Sequence, residues 1–457
     1  MTAADGGRTP TRLSRRALLI GGTVAASVVA LGVQATRTSP GPRPHGPPDW
    51  ESVPAPAGTT EPVEVVYCAG WDSAARSPAS PMSESVARGR DAAGDQYAAV
   101  LFAGGVARAV VEVCWSAHHA EVWHIDASGR RYRGVAYRRW PDGRLRLFEV
   151  RGWRYGGPDT REFAGENPAF RARVHRTATA TAEKVAVSAE LSGGGKLDTW
   201  REWQNWPEPT RPPDDVAVPA PDGWPALAGM TGPVTVRPGP DAVPATFPWR
   251  PPHPLRPRHV EEVVTDGARF RMRNGRVQSI KRIPAGTIRL PSGKVLVADP
   301  GWLHTDPRPL TATAPPGEYP VDVFELEADG KSAWTVACRV AVKDAPVTSW
   351  DLALLDGEHE LDLGDGEFFG NPVDTATLAL VDQAGVTAYP LADIDAATAG
   401  EAVFHRLSDP KTGTDLVIVP GWSDGAFPVW IGRTEDGAIG CFVLDFRVPE
   451  LADAEPV

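Results

Sequence analysis

Proline falls along this 457-residue chain in two dense belts, and their placement limits what can fold. The first runs from Thr36 to about Ala57 and includes Ser39-Pro40-Gly41-Pro42-Arg43-Pro44. The second runs from Trp206 to about Arg258, with Trp206-Pro207-Glu208-Pro209 and Pro248-Trp249-Arg250-Pro251-Pro252. Each proline removes a backbone donor and restrains its predecessor, so neither belt favours a long helix or a central strand. The chain is thereby expected to divide into an N-terminal segment (1–35), a tether (36–62), a Trp/Arg-rich folded domain (63–205), a linker or long surface loop (206–259) and a second, acidic domain (260–450).

Between the belts, short β-branched and aromatic runs alternate with turn signals about every ten residues. In the first domain these predict strands at Ala98–Phe102, Ala109–Trp115, Glu121–Ile125, Val135–Trp140, Leu145–Trp153, Ala172–Arg176 and Lys184–Leu191. Pro141-Asp142-Gly143 marks a hairpin, and Ser83–Ala93 is the best helix. In the second domain strands are predicted at Thr287–Leu290, Val295–Ala298, Tyr319–Leu326, Trp334–Val342, Thr377–Val381, Asp415–Pro420, Phe427–Arg433 and Ile439–Phe446. Short helices are expected near Trp350–Leu355 and Leu391–Glu401. The expected fold class is mainly β: two domains of largely antiparallel strands with a few short helices.

The N-terminus carries a targeting signal. Arg15 and Arg16 stand directly before an uncharged, mildly apolar stretch from Ala17 to Thr36, and Val33-Gln34-Ala35 suits cleavage. Ser14-Arg15-Arg16 followed by Leu18 and Leu19 resembles the twin-arginine export motif. Expected locations are therefore secreted or cell-envelope, with an uncleaved single transmembrane anchor as the alternative. Contact with a membrane is expected through this segment alone. Cys68, Cys114, Cys338 and Cys441 lack C-x-x-C spacing, so zinc and thioredoxin-like chemistry have no support. Whether they pair as disulfides stays open.

Charge separates the halves. Arginine is abundant between Leu101 and Trp206, whereas acidic residues outnumber basic ones more than three to one from Ala298 onward. Solvation of an exported domain accounts for this, as would cation binding or attraction between the two domains. Export and the net charge of −11 disfavour nucleic acid as a partner.

Several motifs then resemble a known family. They are Gly286-Thr287-Ile288-Arg289-Leu290-Pro291-Ser292-Gly293-Lys294 with Ala298-Asp299-Pro300, Pro315–Val321, Trp350–Leu354, Val373-Asp374 with Asp382, and Gly421-Trp422-Ser423-Asp424-Gly425-Ala426-Phe427-Pro428-Val429-Trp430, closing on Leu444-Asp445-Phe446. Together they resemble domain of unknown function 4241 over about 170 residues, a likeness that implies no activity. Pro420 and the Val373–Asp382 block depart from the family pattern.

Within these motifs, Gly421 and Gly425 would permit positive φ and hold Trp422 and Asp424 on a tight connection. A carboxylate beside an aromatic suits a polyol or a cation; a plain β-turn needs no ligand. Asp299, Asp374, Asp382 and Asp445 each lie beside or within an apolar strand. Buried carboxylates need partners, so these could line one site with Trp430, either as general acid and base or as oxygen ligands for Ca²⁺. Asp362–Glu367 lacks EF-hand spacing and reads as a solvated turn. His118, His119 and His124 sit on alternating positions and do not converge on a metal. Ser192–Lys196 lacks the pattern of a phosphate loop. Trp200, Trp203 and Trp206 would form one stripe on a short helix, as packing or as a carbohydrate platform. The leading reading is an exported or envelope-tethered binding module for an unidentified protein or carbohydrate. Alternatives are a hydrolase using the clustered aspartates, and a structural or immunity-like partner protein.

Overall fold

The computed structural model describes residues 58–163, 168–178, 183–191, 197–200, 212–305, 307–328, 331–400, 402–451 and 453–457. The N-terminal segment, most of the tether, Ser192–Lys196, Trp203 and Trp206 lie outside these residues. None of the described helices is long and apolar enough to cross a membrane.

The first region is one long antiparallel meander. Its strands are β1 (Val63–Asp72), β2 (Ser77–Pro81), β3 (Tyr97–Ala103), β4 (Val106–Cys114), β5 (His119–Ile125) and β6 (Arg131–Arg139). Then come β7 (Arg144–Gly152), β8 (Phe170–Ala178), β9 (Glu183–Leu191) and β10 (Leu197–Trp200). Trp200 therefore ends a strand; the helix expected to carry the three-tryptophan stripe does not start there. Sheet order follows chain order from β10 down to β3, with β1 beside β3. The predicted hairpin joins β6 to β7, where Gly143 takes φ 77° and the Asp142 carboxylate accepts from the Arg144 N–H. Ser83 caps the helix Glu84–Ala93, accepting from the Val86 N–H as an N-cap side chain should.

Part of the second proline belt is built into this sheet. β11 (Asp215–Ala217) pairs with β7, and β12 (Val234–Val236) runs parallel to β1 at the sheet edge. Between them Trp224 is fully buried and donates to the Tyr97 hydroxyl at 3.1 Å. Prolines flank these three-residue strands and do not interrupt them, which is how edge strands accommodate proline.

The described residues of the second region form three sheets. The largest contains β13 (Arg269–Arg271), β14 (Val277–Leu290), β16 (Gly317–Ala328), β17 (Lys331–Ala341), β18 (Ser349–Leu352), β24 (Val429–Arg433), β25 (Ile439–Asp445) and β26 (Glu455–Pro456). A second sheet orders β15 (Val295–Ala298), β20 (Thr377–Asp382), β22 (Thr414–Pro420) and β21 (His405–Asp409). A third pairs only β19 (Asn371–Val373) with β23 (Gly425–Phe427). The helix expected at Trp350–Leu355 is instead β18, held by its ladder to β24 and by Asp351 accepting from Arg433 at 2.8 Å. The expected second helix forms over Leu391–Thr398. All four cysteines are buried free thiols.

The two regions are fastened by the segment that reads as a solvated turn. Asp365 accepts two hydrogen bonds from Arg250, at 2.9 and 2.6 Å. Glu367 pairs with Arg173, which also donates to the Asp362 carbonyl at 2.7 Å, and Arg138 donates to the Leu363 carbonyl at 3.3 Å. Phe148 lies between these two guanidinium groups, at 4.2 and 4.4 Å. Basic first region and acidic second region thus meet directly, one of the roles the charge imbalance suggested.

Candidate functional site

Three loops converge at one end of the second region, and a buried aspartate ties two of them together. Asp299 follows β15 and is fully buried. Pro300 has no N–H to offer, so one Asp299 oxygen accepts from the Gly301 N–H at 2.8 Å and caps the turn Pro300–Trp302. The other oxygen accepts from the backbone N–H groups of Asp374 and Thr375 and from the Thr375 hydroxyl, at 2.8 to 2.9 Å. Four donors on one carboxylate stabilise its buried charge and lock the 299–302 turn to the 374–376 turn.

The third loop lies against the second through strand register. Val373 pairs with Gly425, and Thr377 pairs with Pro420. The short connections 374–376 and 421–424 therefore run side by side, joined by the Gly421 N–H on the Ala376 carbonyl at 2.7 Å. Ala376 is held at φ 52°, a left-handed conformation costly for a residue with a Cβ. Gly425 has φ 155°. Gly421 is glycine for another reason: a Cβ there would stand 2.7 Å from the Phe446 ring. The expectation of positive φ thus holds at Gly425 and is replaced at Gly421 by close packing.

What this end presents to solvent is aromatic and acidic. Trp422 is 37% exposed and Trp302 40%, while Asp374 and Asp424 are both exposed. The Trp422 indole N–H is already donated to the Phe446 carbonyl at 2.9 Å, which fixes the ring and leaves its face available. Asp445 supports that anchor from below. It accepts from the Trp430 indole at 3.0 Å and from the Arg447 N–H at 2.7 Å, and Trp430 is buried in the sheet. Asp382 stands at the far end of β20, about 17 Å from Thr377 at the rise of an extended strand. There it accepts from Ser292, Gly293 and Ala384 N–H groups and from the Ser292 hydroxyl.

The shared acidic cleft expected from Asp299, Asp374, Asp382 and Asp445 is therefore not formed. Three of these carboxylates are spent on nearby backbone and indole N–H groups, and Asp374 enters the network through its own N–H. Among the described residues no three His, Cys, Asp or Glu side chains gather where they could hold a metal ion. Trp302 and Thr375 were not singled out in sequence; the Asp-Pro-Gly-Trp run beginning at Asp299 is the signal that finds the first of them, as a capped turn ending on an aromatic.

No curated protein and no solved structure matches the chain. Residues 288–444, which hold all three loops, match the family described as a protein of unknown function, DUF4241.

Proposed function

We propose that this is an exported or envelope-tethered two-domain binding protein that engages an envelope carbohydrate through the loops carrying Trp302, Asp374, Trp422 and Asp424. The observation behind it is that two half-exposed indoles and two exposed carboxylates stand on loops hydrogen-bonded into one rigid end. Sugar rings stack on indole faces, and carboxylates accept from their hydroxyl groups. Export rests on Arg15-Arg16 and the uncharged stretch behind them. A hydrolytic reading draws less support, because Asp299, Asp382 and Asp445 already accept structural hydrogen bonds. Co-sedimentation of the purified mature chain with insoluble envelope polysaccharide tests the proposal. Wild type should pellet, and Trp422→Ala and Asp424→Asn should each weaken retention several-fold with the fold intact by circular dichroism. Retention that is absent in wild type, or equal in wild type and both variants, would overturn it.

A further inference from the structure

The centre of the first sheet carries a row of charge that the loops above do not use. Register across β1, β3, β4, β5, β6, β7 and β8 aligns Cys68, Ala98, Glu112, Glu121, Ala136, Glu149 and Arg173. Glu112 and Glu121 are thus direct cross-strand neighbours, each only 4% exposed. Like charges so placed repel. Arg151 relieves Glu121 by reaching over β6 to within 2.5 Å. Its path is open because the β6 residue beneath is Gly134, where a Cβ would lie 2.5 Å from the Glu121 carboxylate.

Glu112 is served less well. One oxygen accepts from the Trp123 indole at 3.0 Å; the other is buried without a hydrogen-bond donor, with Arg131 3.5 Å away. Arg131 is committed elsewhere. Its Nε and one Nη lie 3.1 Å from the two oxygens of Glu162, and its backbone N–H donates to the same group at 2.7 Å. Glu162 belongs to a strap, residues 153–163, that folds back from the end of β7 over Trp123. The Trp153 and Phe163 rings each lie 5.6 Å from Trp123, and Phe163 is held at φ 53°, which is strained for an aromatic residue. Arg130 pins the strap by donating to the Gly157 and Thr160 carbonyls, and Tyr155 pins it by donating to the Arg131 carbonyl.

We propose that Glu112 is a proton-operated catch on this strap. With the proton on Glu112, Arg131 serves Glu162 alone and the strap stays down. When the proton leaves to solvent, the Glu112 carboxylate competes for Arg131, the strap loosens, and the Trp123 face beneath it is uncovered. The groups that face Glu112 are Cys68 from β1, Glu121 from β5, Arg131 from β6 and Arg151 from β7. Burial pushes the Glu112 carboxyl up to about 7, Arg131 opposes that, and Glu121 adds to it, so the change falls near neutral pH.

Hydrogen exchange of the whole chain, corrected for intrinsic rates and read on peptides covering 153–163, tests this at about pH 5.5 and about pH 8. Protection of the strap in wild type should fall about tenfold at the higher pH, the factor that 1.4 kcal/mol represents. Glu112→Gln should hold the strap equally at both. Glu162→Gln, which unties the strap and leaves Glu112 in place, should expose it at both. Equal protection of wild type at the two pH values, or an undiminished pH effect in Glu112→Gln, would overturn the proposal.

Discussion

Both halves of this molecule bury carboxylates, and they do so in opposite ways. In the second region Asp415 is fully buried, yet Arg289 reaches it through its Nε, one Nη and its own backbone N–H, with Arg406 and Ser408 adding further contacts. Burial alone would raise its carboxyl; hydrogen bonds from Arg289 and Ser408 outweigh this and hold it well below the usual carboxylate range. In the first region Glu112 has a single indole donor, a like charge opposite and a shared arginine, so burial wins and its carboxyl is pushed up. The difference teaches that burial by itself does not set the charge state. The number of donors already in place does.

The comparison can be broken most forcefully at Asp415. Asp415→Ala removes the fully buried acceptor on which Arg289, Arg406 and Ser408 converge and should give the largest loss of stability of the changes considered. The urea midpoint at neutral pH measures it; a loss within error of zero would mean the donors around Asp415 hold nothing.

A smaller effect should follow from pH, with opposite sign in the two halves. The Glu112 carboxyl is raised above its ordinary 4.5, so its contribution is complete below that value and is lost as pH rises through about 7. Asp415 is depressed, so its contribution is present above the ordinary 3.8 and is lost only as pH falls through its lower folded value. Between about pH 5 and 8 ionisation of Glu112 should therefore weaken the first region, while His119 and His124, kept neutral by burial, strengthen it over the same range, so Glu112→Gln should gain more stability than wild type as pH rises. Calorimetric scans of both proteins across that range would settle it, and the same pH dependence in the two would erase the distinction.

The least effect is expected at the seam. Arg250 and Asp365 make a two-pronged contact, but both side chains are largely exposed. Arg250→Ala should shift the midpoint by about 0.5 kcal/mol or less, with 0.5 M NaCl shrinking even that. A much larger loss would mark this pair as the main fastening between the halves, ahead of Arg138 and Arg173.

Much of this architecture was legible in the chain itself. Turn spacing and β-branched runs gave the meander and the second-region strands, because alternation and punctuation are local properties. The Gly421–Gly425 loop also stood out, since paired glycines around Trp and Asp are visible in one dimension. Register is not. Nothing in sequence reveals that Glu112 faces Glu121, or that Asp299 reaches Asp374 and Thr375 across 75 residues. The proline belt hid β11 and β12 because three-residue edge strands leave almost no pattern. Asp362–Glu367 read as a solvated turn because its arginine partners lie more than 100 residues upstream.

The four cysteines carry a consequence for timing. Cys68 and Cys338 are fully buried, and burial pushes both thiols up to about 12, so they hold almost no thiolate at physiological pH. Thiolate is the species that attacks and oxidises. Neither thiol is therefore poised to oxidise, and in this fold none of the four cysteines is joined in a disulfide. If the chain crosses a membrane as proposed, it can be finished in a reducing compartment and delivered to an oxidising one without changing a covalent bond in its core.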